Sequence, residues 1–275
     1  MIANFYINNE KYELNVNGEV ITGNDQILIK NEIDLTENTK WHSQGFIVKK
    51  FLGYSQQKNI INQVQKYFIK LIKRTFNKLS NLDLKLEDYH KYLNYNDHLT
   101  MLKIIENGIS FDDIDINKEI LENAVSEILN VSVSTKNPYS DEINDKTFAL
   151  RIIRPNCHDF NPPHKDVYLD RLKNGINIYL PIIGSNQNSS LPLMPKSHFL
   201  NENQIYRTKN GALINNVKFR VPCIIKTDSG LKLIRPNPKN EEILLFSPYL
   251  IHGGGLNLNS NLTRISLELR FWRNT

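Results

Sequence analysis

The chain has 275 residues, 40% hydrophobic and 23% charged, which is enough to bury a core in one large domain or two small ones and argues against a disordered chain. No window approaches the ~18 consecutive apolar residues of a membrane helix, and Met1–Tyr12 lacks the basic-then-apolar order of a signal peptide, so a cytoplasmic protein without a membrane span is expected. Two cysteines, Cys157 and Cys223, exclude a disulfide framework and a thiolate zinc site, and the net charge of +5 is spread through interleaved Lys, Asp and Glu as a solvated surface rather than a nucleic-acid footprint.

From Asn4 to Val48, short runs (Phe5-Tyr6-Ile7, Tyr12–Val16, Ile27-Leu28-Ile29) broken by Asn-Gly and Gly-Asn predict a small β-rich segment with hairpins. Ser55 then precedes Ile60, Ile61, Val64, Tyr67, Phe68, Leu71 and Ile72, spaced by threes and fours. That is one face of an amphipathic helix, with a serine as its expected cap. Further helices are predicted over His98–Asn107 and Ile116–Leu129, the second with Ile120, Ala124, Ile128 and Leu129 on its apolar side. After Asn130 the pattern changes to strands, at Val131–Ser134, Thr147–Arg154, Gly175–Ile183, Phe219–Lys226, Leu231–Ile234, Ile243–Ser247 and Thr263–Trp272, separated by Pro, Asn, Asp and Gly. Helices followed by strands without intervening helices predict a mainly β, α+β fold, an antiparallel barrel supported by N-terminal helices. No repeat or linker splits the chain, so one domain is expected, with residues 1–130 as its supporting part and 131–275 as its core.

His164 and Asp166 lie in Asn161-Pro162-Pro163-His164-Lys165-Asp166, where an extended backbone turns residues i and i+2 to the same side. Taken alone, His-x-Asp is also the pattern of a surface loop with a hydrogen-bonded histidine. His252 ends an apolar run and precedes Gly253-Gly254-Gly255, which lets backbone or ligand approach closely; read by itself, it is a core histidine in a tight turn. Two histidines and a carboxylate together make a facial triad, which on iron(II) leaves room for a bidentate 2-oxo acid and then dioxygen. Twelve residues on, Thr263–Trp272 alternates, with Arg264, Ser266, Glu268 and Arg270 on one face and Ile265, Leu267, Leu269 and Phe271 on the other. A barrel interior that holds a dicarboxylate needs a guanidinium at depth, which makes Arg264 the expected cosubstrate anchor and Arg270 the fallback. His42, His90 and His98 read as surface residues. His158 next to Asp159 is a rival ligand whose neighbour points the opposite way, and His198 reads as part of a structural turn.

Over residues 145–272 the chain resembles the phytanoyl-CoA dioxygenase-like branch of the iron(II)- and 2-oxoglutarate-dependent oxygenases. The resemblance rests on His164-x-Asp166, on Leu191-Pro192-Leu193-Met194-Pro195-Lys196-Ser197-His198, on His252 with Asn257 after it, and on Arg264. It implies a double-stranded β-helix (jelly-roll, cupin-like) barrel, iron(II) held by His164, Asp166 and His252, 2-oxoglutarate and O2 as cosubstrates, and hydroxylation of an unactivated carbon with release of succinate and CO2. It also implies an aromatic touching the cosubstrate, at Tyr179. Lys196 stands where the family has glycine, and Asn188-Ser189-Ser190 where it has Asn-Gly, so phytanoyl-CoA itself is not the expected substrate. A polar, anionic sugar or surface-glycan precursor suits the basic, Asn- and Tyr-rich chain better. Because Asp166 fills the carboxylate position, a halogenase is disfavoured. The rival readings are a cupin-type metal enzyme that does not use 2-oxoglutarate, for which Arg264 would be superfluous, and a non-catalytic binding protein on the same fold.

Overall fold

Two backbone layers face each other in the C-terminal half of the protein, and the order of their strands defines the architecture. The computed structural model describes residues 1–23, 34–106, 108–139, 148–158, 161–214, 217–239 and 241–274. In chain order its elements are β1 (Ile2–Ile7), β2 (Glu10–Asn17), β3 (Val20–Thr22), β4 (Phe46–Lys50), α1 (Tyr54–Thr75), α2 (Tyr89–Tyr92), α3 (Tyr95–Ile105), α4 (Phe111–Ile114), α5 (Lys118–Leu129), β5 (Val133–Ser134), β6 (Phe148–Ile153), β7 (Gly175–Ile183), β8 (Ile205–Thr208), β9 (Ala212–Ile214), β10 (Val217–Phe219), β11 (Ile224–Thr227), β12 (Lys232–Leu233), β13 (Glu242–Phe246) and β14 (Arg264–Arg273).

The major layer runs β4-β13-β7-β14, with both β5 and β6 on β14, and its pairings are antiparallel. The minor layer is built from single bridges: His164 pairs with His252, His252 with Leu193, and Leu193 with Ile234. The chain therefore visits β6, His164, β7, Leu193, Ile234, β13, His252 and β14 in turn. The resulting spatial orders are β13-β7-β14-β6 in one layer and 164-252-193-234 in the other. This is the double-stranded β-helix, mainly β with helices before it.

The outer face of the major layer carries Leu150, Ile178, Leu245, Leu267, Leu269 and Phe271, and α1 packs Ile60, Val64, Phe68 and Ile72 into the same core. Burying each such side chain contributes about 1.5–3 kcal/mol. α1 begins after Gly53, so Ser55 lies inside the helix and is not its cap; the Gly53 N–H donates to Gln56 Oε1 instead. α5 buries Leu129 as expected and packs Ile128 against the core, but its other buried residues are Leu121 and Val125, and Ile120 is exposed. Its apolar residues ring more of the helix than one stripe, and a strict i, i+4 row is the one that meets the sheet.

The N-terminal strands do not form a separate layer. β1 pairs with β12, β2 with β9, β3 with β8 and β4 with β13, so the first fifty residues contribute strands to the C-terminal half. The tight hairpin between β1 and β2 turns on Asn8 and Asn9, both at positive φ, rather than on Asn17-Gly18. Asparagine tolerates the left-handed region that a two-residue hairpin needs. The expected strand over Phe219–Lys226 is two pieces, β10 and β11, while β8 and β9 were not anticipated. The run at Ile27–Ile29 lies outside the described residues.

Candidate metal and cosubstrate site

The layer of single bridges brings together two of the three residues that could hold a metal. His164 and His252 exchange both backbone N–H···O bonds at 2.9 Å, which sets their imidazoles side by side, 4.3 Å between ring centroids. Lys165 is extended, so Asp166 turns back to the side of His164, and the Asp166 N–H donates to Pro248 O at 3.0 Å. Gly253 follows at φ +97°, and a Cβ there would come within 2.6 Å of Pro162 O and 3.1 Å of His164 Nδ1. The glycine after His252 is therefore required by the close passage of the strand that carries His164.

His164 Nε2 is 3.3 Å and His252 Nε2 3.7 Å from Asp166 Oδ1, and one ligand atom from each residue lies within 4.8 Å of the others. His164 Nδ1 faces Pro162 O at 2.7 Å and His252 Nδ1 faces Leu250 O at 3.0 Å. A carbonyl only accepts, so each Nδ1 carries the proton and a neutral ring leaves its Nε2 bare. Burial, reinforced by His164, pushes His252 down to about 4, which keeps it neutral near pH 7. Burial alone would raise Asp166. The Arg270 guanidinium outweighs it and holds the carboxyl well below the usual range. Arg270 takes Oδ2 with Nε at 3.2 Å and Nη2 at 3.0 Å, leaving Oδ1 to the histidines. Three potential ligand atoms thus converge on one point, with the Arg270 guanidinium kept to the far oxygen of Asp166.

The opposite wall is the inward face of the major layer. Its rungs, read across β13, β7, β14 and β6, are Phe246-Asn177-Arg270, then Leu244-Tyr179-Glu268-Ala149, then Pro181-Ser266-Arg151, then Arg264-Ile153. Arg264 is 1% exposed; its Nη1 donates to Tyr179 Oη at 3.3 Å, and its guanidinium lies 5.6 Å from the centroid of the Tyr179 ring. The expected pair is therefore in contact, and the buried Arg235 lies near Arg264, bonded to Ser190 O and to Leu256 O. Burial and the nearby Arg264 charge push Arg235 down to about 10. Arg270, the fallback anchor, is instead committed to Asp166. Glu268 stays ionised because Arg151, Arg270 and Arg264 outweigh its burial, and Arg151 Nε holds it at 3.1 Å. Ser266 Oγ and Asn177 Nδ2, both buried on this wall, have no hydrogen-bond partner among the described residues.

The other histidines lie elsewhere. His98 is buried rather than at the surface, with Nδ1 3.0 Å from Tyr89 Oη, and burial and Arg154 push it down to about 4. His42 and His90 are half-buried and bonded to Thr36 and Thr263. His158 is exposed and bridges to Leu256, while Asp159 lies outside the described residues. His198 Nε2 donates to His42 O, a structural role, and Lys196 two residues before it has φ +64°, a left-handed backbone that non-glycine residues seldom adopt.

No family model matches the chain, and no curated protein matches it in sequence. Its fold is similar to that of AviO1 from Streptomyces viridochromogenes Tue57, at 14% identity and a TM-score of 0.46 over 86% of this chain and 92% of that one. It is also similar to EctD from S. alaskensis with 2-oxoglutarate and 5-hydroxyectoine (12%, TM-score 0.45, 94% and 84%) and to the apo form of ThoJ, a non-heme monooxygenase (12%, TM-score 0.44, 87% and 77%). At such identities and scores the likeness assigns this chain no activity. No helix among the described residues is long and apolar enough to cross a membrane.

Proposed function

We propose that the protein is an iron(II)- and 2-oxoglutarate-dependent dioxygenase that hydroxylates a carbon of a polar small molecule. The observation that carries this reading is that bare His164 Nε2, His252 Nε2 and Asp166 Oδ1 converge on one side of a barrel whose other wall buries Arg264. The donor set, two imidazoles and one carboxylate, suits iron(II) and leaves positions open. The deep end fits a dicarboxylate. Arg264 offers a planar fork, Tyr179 supports it, and the unpartnered Ser266 hydroxyl one rung away offers a further donor.

When bound, iron(II) with 2-oxoglutarate supplies the dioxygen chemistry, which places one oxygen in the substrate C–H bond and the other in succinate as CO2 leaves. The protein's own groups do the positioning. Arg270 fixes the Asp166 carboxylate so that one oxygen faces the histidines. Pro162 O and Leu250 O fix both imidazole tautomers, and Leu191, Leu193, Leu244 and Leu250 line the interior with apolar surface that excludes water. The Leu191–His198 motif, with its left-handed Lys196, supports a place near the phytanoyl-CoA dioxygenase-like branch. The strands that β1–β4 add to the C-terminal half support one domain over residues 1–275. Incubating the purified protein with iron(II), ascorbate, O2 and 2-oxoglutarate should release succinate slowly, dependent on both metal and oxygen. Bound metal without succinate would favour a cupin-type enzyme of another class, and failure to bind iron(II) or manganese(II) a binding protein.

A further inference from the structure

Beside the candidate metal ligands, and away from Arg264, one rung of the major layer supplies none of those ligands and touches them only through Arg270 and Phe246. Phe246, Asn177 and Arg270 are register partners across β13, β7 and β14, so their side chains share the inward face. The rung lies against the ligand cluster. The Phe246 ring is 4.8 Å from that of His252, and Arg270 touches Asp166. Asn177 is 4% exposed, and its Nδ2 has no hydrogen-bond partner among the described residues. A buried amide without a partner costs stability of the order of a lost hydrogen bond, and its apolar neighbours Ile176 and Ile178 face the other way into the outer core. Arg270 uses Nε and Nη2 on Asp166, and Nη1 makes no hydrogen bond among the described residues. Its side chain is 22% exposed, so solvent reaches this rung.

We propose that Asn177 Nδ2 and Arg270 Nη1 form a donor pair that takes a carboxylate of the primary substrate, beside the metal and with its carbon chain against Phe246. This assignment rests on the function proposed above. There the deep Arg264 is assigned to the cosubstrate, and Arg151 holds Glu268, so the cation beside the metal-binding residues that keeps an N–H for a further anion is Arg270.

The test uses full-length protein with iron(II) and 2-oxoglutarate under anaerobic conditions. Butyrate is the probe, butyramide its neutral match and methyl phosphate the rival anion, and the metal-to-2-oxoglutarate charge-transfer band is the readout. Butyrate should shift the band saturably, with butyramide and methyl phosphate at least tenfold weaker. Asn177→Asp, which sets a carboxylate against the probe, should weaken butyrate at least tenfold, and Asn177→Leu less. Arg270→Lys should retain part of the response and Arg270→Gln none. Absence of the band would defeat the proposed function. A normal band that butyrate leaves unmoved, or that responds equally to butyramide, or that responds to butyrate alike in wild type and Asn177→Asp, would overturn the carboxylate subsite alone. Stronger binding of methyl phosphate would overturn the choice of carboxylate. If an Asn177 variant does not fold, the acid-to-amide ratio in wild type and in the Arg270 variants decides.

Discussion

Strand β14 has two faces that are both largely withdrawn from solvent and do opposite things. Ile265, Leu267, Leu269 and Phe271 point outward into the core shared with α1, whereas Arg264, Ser266, Glu268 and Arg270 point into the barrel. The outward face is held by apolar transfer and close packing. The inward face carries desolvated charges that return little net stability, since burying a guanidinium costs several kcal/mol before its partners repay it. Burial alone therefore does not separate a core from a site. The difference is that every outward side chain meets apolar atoms, while the inward face keeps donors without acceptors.

The sharpest way to break this comparison is to truncate each face and compare unfolding free energies. Phe271→Ala should cost about 3–5 kcal/mol in chemical denaturation, because Phe271 is fully buried and leaves a cavity. A loss below 1 kcal/mol would mean that the outward face is not the structural one.

Next in size is a pH effect confined to the helical side of the outer core. His98 is held near 4 in the folded protein against an ordinary value near 6.5, so between these values the unfolded chain binds the extra proton. Its stabilisation is complete above pH 6.5 and is lost as pH falls towards 4, on the order of 3 kcal/mol in all. Wild type should therefore lose more stability than His98→Gln on going from pH 7 to pH 4. Parallel stability-against-pH curves for the two would contradict the burial of this imidazole.

Gly253→Ala tests the inner face where it meets the ligand strand. With φ at +97° and Pro162 O in the way, strain of about 1–3 kcal/mol is expected, together with weaker iron(II) binding by calorimetry as His164 is pushed aside. Unchanged metal affinity would show that the glycine does not set the ligand spacing. The smallest effect is expected at Arg264→Met, within about 1 kcal/mol of wild type in the apo protein, since an apolar chain of similar length replaces a buried charge. A loss like that of Phe271→Ala would make Arg264 a structural residue.

Much of this division was legible in the sequence because β14 alternates strictly, and a period of two assigns each residue to a face. The ligand set was legible for local reasons, i and i+2 at His164 and Asp166 and the glycines after His252. The minor layer was not. Leu193, Ile234 and His252 are joined by long-range single bridges, which leave no run of alternating residues to read. Asn177 was hidden in Gly175–Ile183, where nearly every residue is buried and the run reads as apolar, so one inward amide breaks no pattern. Arg270 was read as a spare anchor, because sequence spacing does not show that Asp166 Oδ2 lies across the barrel. The side of α5 was misread because its apolar residues extend beyond one stripe.

The central claim is that the inner face of β14 binds the distal carboxylate of 2-oxoglutarate through Arg264. Titrating 2-oxoglutarate into anaerobic, iron(II)-loaded wild type and Arg264→Ala, and following the charge-transfer band, tests it directly. Leaving that carboxylate without its guanidinium should weaken the cosubstrate by about 2–5 kcal/mol, roughly thirtyfold or more in Kd, with Arg264→Lys recovering part and iron(II) affinity nearly unchanged. Equal affinity of wild type and Arg264→Ala for 2-oxoglutarate would contradict it.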